Sequence, residues 1–209
     1  DPAAGLEPNC VRYSGGYKPE GLIQEYSNRV RYAMLGYLND SSDQRDGGVL
    51  RANIKYVGPM SNDPVAGPLA NAAREWDGDT GVLVRNPDPA DATDTNNRLG
   101  ITTIIDSGII NYLNKFGEVS NTRLMKSIDP VSELYYAALR YVKNQGDVQA
   151  YSNITDATLA GRYETADGFP VIRDWQDPLQ YSCQANVLLG IGDTNTHVDK
   201  NLPGPTNPT

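Results

Sequence analysis

The sequence predicts an α/β domain built on a largely parallel sheet. Three observations carry that reading. Val30 to Leu38 is nearly continuous apolar sequence bounded by polar residues, and Asn186 to Ile191 is a second, shorter apolar run. Between them lie two stretches with helical periodicity, about Thr103 to Phe116 and from Asp129 onward. Buried strands alternating with amphipathic helices favour this architecture, because each helix covers a face of the sheet.

In chain order, residues 1–17 read as an irregular lead-in broken by Gly15-Gly16. Pro19 is placed to open a helix, with Glu20 favoured at its positive end. Leu22, Ile23 and Tyr26 share one face, and the helix should stop near Asn28. Val30 to Leu38 follows as a strand buried on both faces, then a loop from Asn39 to Gly48. Leu50, Ala52, Ile54 and Tyr56 alternate with Arg51, Asn53 and Lys55. That period predicts a half-exposed edge strand whose basic side deters stray pairing. Residues 58–99, rich in Pro, Asn, Asp and Gly, read as a long surface excursion with a short strand at Val82–Val84.

In the helix over Thr103 to Phe116, Ile105, Ile109, Tyr112, Leu113 and Phe116 fall on one side and Gly117 stops it. The next helix has Asp129 as N-cap and Pro130 as its first residue. Val131, Leu134, Tyr135, Ala138 and Val142 line its apolar face. Residues 147–182 are irregular again, and Asn186 to Ile191 forms the last strand. The organisation is one domain over 1–209, with loop-rich insertions at about 58–99 and 145–182.

Charge excludes some functions. The 209 residues carry a net charge of −8, which argues against a nucleic-acid binder, since that needs a basic footprint. It suits a secreted protein or a cation binder. No apolar run approaches the length of a membrane span. The chain opens on Asp1-Pro2-Ala3-Ala4 and closes on Pro203 to Thr209, and both ends read like cut linkers. Two cysteines, Cys10 and Cys183, and one histidine, His197, are too few for a zinc site of ordinary spacing. The cysteines are compatible with a single bridge in an oxidising compartment.

The loop after Ile191 is the leading site, because α/β folds bind ligands at the carboxyl ends of strands. It offers Asp193, Asn195, Asp199 and Asn201, hard oxygen donors suited to Ca²⁺ or Mg²⁺. The central Gly and closing Glu of an EF-hand are missing, so that motif is rejected. The alternative is an Asx-rich turn that bonds its own backbone. Asp129 either caps its helix or reaches the same end of the sheet as a further ligand. His197 reads most simply as a loop-ordering residue. No Ser–His–Asp order, G-x-S-x-G or phosphate loop occurs. Asp174 and Asp177 beside Trp175 are a remote glycosidase pair. Thirteen tyrosines against two phenylalanines is a real bias, mostly structural by position.

Several strings resemble consecutive signatures of the PilC/PilY family of type IV pilus tip-associated adhesins. They are Tyr17-Lys-Pro-Glu-Gly-Leu-Ile-Gln24, Val30–Leu38 and Arg45-Asp-Gly-Gly-Val-Leu-Arg51. Gly108 to Gly117, Asp129 to Tyr141 and Cys183 to Gly204 continue the series in order. The resemblance implies a segment of the family's N-terminal region, similar to a von Willebrand factor A domain. That fold is a doubly wound α/β sheet with a metal-ion-dependent adhesion site, incomplete here because its first strand with Asp-x-Ser-x-Ser is missing. Asp193 would take the place of its late aspartate, and Asp129-Pro130 that of its Thr-Pro. The implied function is non-enzymatic: surface attachment and pilus biogenesis through a Ca²⁺- or Mg²⁺-binding site. A purely structural packing module is the alternative reading. The implied partners are minor pilins or the pilus tip complex, a host or surface receptor, and further domains of the parent protein. The location would be extracytoplasmic, at the cell surface or pilus tip, reached through the periplasm. The same resemblance places Cys10 and Cys183 toward one end of the sheet, as a disulfide that would add about 2–4 kcal/mol.

Overall fold

The computed structural model describes residues 5–39, 47–116, 129–192, 199 and 202. Its elements are β1 (Cys10–Tyr13), β2 (Gly16–Pro19), α1 (Leu22–Glu25), β3 (Tyr32–Gly36) and β4 (Val49–Lys55). These are followed by β5 (Met60–Asp63), β6 (Gly67–Ala70), α2 (Pro89–Leu99), α3 (Ile109–Lys115), α4 (Val131–Val142), α5 (Gln149–Ser152) and α6 (Leu159–Thr165). The mixed α/β class is as predicted. The sheet is not: among the described residues, strands pair as β1–β2, β3–β4 and β5–β6, each an antiparallel two-stranded ribbon. The connections explain this. Two residues between β1 and β2, and three between β5 and β6, allow hairpins and exclude parallel crossovers.

The central ribbon is β3–β4, and its faces support separate clusters. Tyr32, Met34 and Ala52 pack with Ile23, Val57, Trp76, Ile109 and Ile110. Ala33, Leu35, Leu50 and Ile54 pack with Tyr141, Ile172 and Trp175 on the other side. A third cluster joins Leu38 and Val49 to Ala92, Leu99, Ile101, Ile104, Ala166 and Val171. Tyr32 to Leu35 is thus covered on both faces, as the nearly continuous apolar run predicts, whereas Val30 at its start is exposed.

β4 departs from its predicted edge role. Met34 pairs with Ala52 and Leu35 with Leu50, so β4 carries an extra residue at Arg51, and a second register shift follows toward Tyr32–Lys55. Such bulges turn Ala52 to the opposite face from Leu50 and Ile54, breaking the alternation. Arg51 is only 1% exposed. Its guanidinium donates to the carbonyls of Ala166 (2.8 Å), Pro170 (3.2 Å) and Tyr37 (2.5 Å), and it lies 5.2 Å from the Tyr112 ring centre. The basic side of β4 is internal, stitching the strand to residues 166–170.

Other expectations are corrected in place. The lead-in holds the β1–β2 hairpin, and Pro19 ends β2 rather than opening a helix. Residues 58–99 hold the β5–β6 hairpin and α2, with only a Trp76–Leu83 bridge near the expected strand. α2 opens with Pro89 after Asp88 and closes at Gly100, whose φ of 66° is the left-handed cap conformation. α3 begins at Ile109, not Thr103, because Gly108 has φ 93° and interrupts the helix. Ile105 is exposed, whereas Ile109, Ile110, Asn111 and Tyr112 are buried. On α4 the fully buried stripe is Glu133, Ala137 and Tyr141, one residue out of phase with the predicted face, and Pro130 occupies the N-cap. Residues 147–182 hold α5 and α6 and contribute Phe169, Val171, Ile172 and Trp175 to the core. Asn186 to Ile191, expected as the last strand, forms no strand and pairs with none among the described residues. No helix among the described residues is long and apolar enough to cross a membrane.

Candidate functional site

Of the four predicted oxygen ligands, Asp193 and Asn195 lie outside the described residues, as do His197 and Asn201. The other two converge. The Ser132 amide, in the first turn of α4, donates to Asp199 Oδ1 at 2.9 Å. Asp129 directly precedes the same helix start. The N-cap residue Pro130 has no side-chain acceptor to offer, so Asp199 supplies one from 67 residues away. A carboxylate is favoured there by the exposed amides and the helix dipole.

Tyr37, one residue beyond β3, reports on the local field. Burial raises its hydroxyl pKa well above the ordinary value, and the charges of Asp129, Asp199 and Glu133 raise it further. Three carboxylates therefore act on one phenol at the start of α4, and Glu133 is fully buried. Among the described residues alone, no group of three or more His, Cys, Asp or Glu side chains is arranged to hold a metal. Tyr37 and Glu133 were missed in the sequence, because both sit inside runs that read as core. The available signal was an acidic residue in the first turn of a helix, next to a residue already chosen as a ligand.

A second charged group lies at the other end of β4. Lys55 Nζ donates to both oxygens of Asp88 (2.7 and 2.6 Å) and lies 3.1 Å from Glu75 Oε1. Glu75 in turn accepts from the amides of Ile109 (2.8 Å) and Ile110 (2.7 Å), and so caps α3. Its position is structural: it ties β4, the loop at 75 and the starts of α2 and α3 together.

A family model described as "PilY1 homolog, second domain" matches residues 37–209. A curated protein of Xylella fastidiosa (strain Temecula1 / ATCC 700964), named "Type IV pilus biogenesis factor PilY1 homolog", is 55% identical over 210 residues, covering 100% of this chain. The chain belongs to the PilY1 family. It spans 17% of the length of that relative. No solved structure matches it. The PilY1-family match includes Tyr37, Asp129, Glu133 and Asp199, so the whole carboxylate-lined start of α4 falls within the matched region.

Two other expectations concern chemistry elsewhere. Cys10 and Cys183 are both free thiols in the structure, and the expected bridge is not formed. Asp174 and Asp177 are exposed; Asp177 Oδ1 accepts from the Leu179 amide in a local turn. Trp175 is buried, with Nε1 donating to the Ile172 carbonyl.

Proposed function

We propose that this chain is a non-catalytic segment of a type IV pilus biogenesis factor. It acts at the cell surface or pilus tip, and supports pilus assembly with minor pilins and attachment to a surface receptor. Its functional centre in this reading is the carboxylate-lined start of α4. There Asp129 and Asp199, with Asp193 and Asn195 from the same loop, act as ligands for Ca²⁺ or Mg²⁺. The carrying observation is that Asp199 accepts from the Ser132 amide in the first turn of α4, while Asp129, far from it in sequence, immediately precedes Pro130, the N-cap of the same helix. All four are hard oxygen donors, the chemistry these cations require. A bound cation would draw the loop at 193–199 against α4, making its presented surface depend on the metal.

Calorimetric titration of Ca²⁺ and Mg²⁺ into the full-length protein tests this. The expected result is a saturable heat that Asp193→Ala and Asp199→Ala each abolish. No heat, or heat unchanged in both variants, counts against the cation.

A second reading has its own observation. Asp199 already serves as a helix cap on Ser132, so the contact is also what a purely structural packing module would use. In that case stability falls in Asp199→Ala equally with and without divalent cations.

A further inference from the structure

Lys55, Glu75 and Asp88 form a charged group largely shut off from solvent, with side chains 15%, 0% and 14% exposed. Lys55 Nζ lies 2.7 and 2.6 Å from the two oxygens of Asp88. The near-equal distances set the nitrogen opposite the carboxyl carbon rather than against one oxygen. The same nitrogen is 3.1 Å from Glu75 Oε1 and donates to the Ala73 carbonyl at 3.2 Å.

The backbone holds each partner in place. Lys55 is the last residue of β4. The Glu75 amide donates to the Val57 carbonyl at 2.8 Å, and its carboxylate accepts from the amides of Ile109 and Ile110. A Cβ built on Gly108 would stand 2.9 Å from Glu75 Oε1, so the chain closes over that side of the carboxylate. Asp88 directly precedes α2, and its amide donates to Ser107 Oγ at 2.8 Å. An amine, a carboxyl group and a buried proton carrier are thus fixed within contact of one another. Groups so held react as if at very high concentration. Taking an ammonium and a carboxylate out of water is costly, and joining them removes both charges.

We propose that Lys55 and Asp88 condense into an intramolecular isopeptide bond, with Glu75 carrying the protons. Glu75 takes a proton from the Lys55 ammonium, and the freed lone pair attacks Asp88 Cγ. A C–N bond forms and one Cγ–O bond breaks. Glu75 passes two protons in turn from the nitrogen to the departing oxygen, which leaves as water. The third ammonium hydrogen stays as the amide N–H. Glu75 ends as it began, and no oxidant or reductant takes part. The bond joins residues 33 apart and closes the loop that carries the β5–β6 hairpin. It is independent of the cation reading at α4.

Trypsin digestion of the denatured full-length protein, followed by mass spectrometry, tests this. The expected product is a branched peptide joining residues 52–74 to residues 86–98, uncut after Lys55 and lighter than the two segments together by one water. Recovery of the segments only as separate peptides, with cleavage after Lys55, overturns the bond. A Glu75→Gln protein that keeps its native circular dichroism should yield the separate peptides instead. A branched peptide at wild-type yield in that variant overturns the role given to Glu75.

Discussion

Asp199 Oδ1 accepts a hydrogen bond from the Ser132 amide at 2.9 Å, joining a loop residue to the first turn of α4. Replacing Asp199 by Ala removes the acceptor and should destabilise the protein by about 1 kcal/mol, the usual worth of a helix cap. Asp199→Asn keeps an oxygen in place and should lose less. Denaturant unfolding with and without Ca²⁺ checks both. If the cation is held there, Asn also loses the Ca²⁺-dependent part of stability, since it lacks the charge.

Glu75 is fully buried, and its carboxylate serves Lys55 and two amides at the start of α3. Glu75→Ala leaves all three with a missing partner and should cost about 3–5 kcal/mol. The matching measurement is the unfolding midpoint in urea. A cost under 1 kcal/mol would mean that water or a neighbouring carboxylate takes over, contrary to the buried arrangement.

Asp91 has its carboxyl pKa raised to about 6, first by burial and then by the charge of Asp88; Lys55 opposes the rise and Asp94 adds to it. The fold thus holds this proton more tightly than the unfolded chain, whose reference value is 3.8. The contribution to stability is full below the unfolded value and is lost as pH rises through the folded one. Asp91→Asn mimics the protonated form. It should stabilise the protein at pH 7.5 and have little effect near pH 4. The difference should be about 1–2 kcal/mol, reduced from the full shift because the group is partly exposed. Thermal melts of both proteins across that pH range decide it.

Gly36 faces Tyr112 across β3 and α3, and a Cβ built on it would stand 2.0 Å from the phenol oxygen. Gly36→Ala must displace Tyr112, which also packs edge-on against Phe169 at 5.2 Å. The expected loss is about 1–3 kcal/mol, typical of an overpacked core. Combining it with Tyr112→Leu should cost less than the sum of the two single changes, measured as a double-mutant cycle.

How much of this was legible in the sequence depended on whether local pattern or distant contact decided the outcome. Within the nearly continuous apolar run Val30 to Leu38, Tyr32–Gly36 forms a strand packed on both faces, as expected, while Val30 is exposed. α4 follows from Asp129-Pro130 and its periodicity, but its buried stripe begins at Glu133, which an apolar count passes over. β4 was misread because bulges at and beyond Arg51 break a period that looks regular in sequence. α2 was missed because Pro-Ala-Asp-Ala-Thr-Asp-Thr-Asn-Asn is poor in strong helix formers. It is instead held by Pro89, a left-handed Gly100 and the burial of Ala92, Thr95 and Leu99. At the site, residue type picked out Asp129 and Asp199. Only the fold shows that they share a helix start with Tyr37 and Glu133.

The most direct test of the proposed function is made in cells carrying Asp193→Ala or Asp199→Ala in the full-length gene, with protein level verified by immunoblot. Piliation and surface attachment are then counted with and without added Ca²⁺. The account predicts normal protein level with reduced piliation or attachment, and no response to Ca²⁺ in either variant. Wild-type piliation and attachment in both variants, with Ca²⁺ dependence intact, would contradict it.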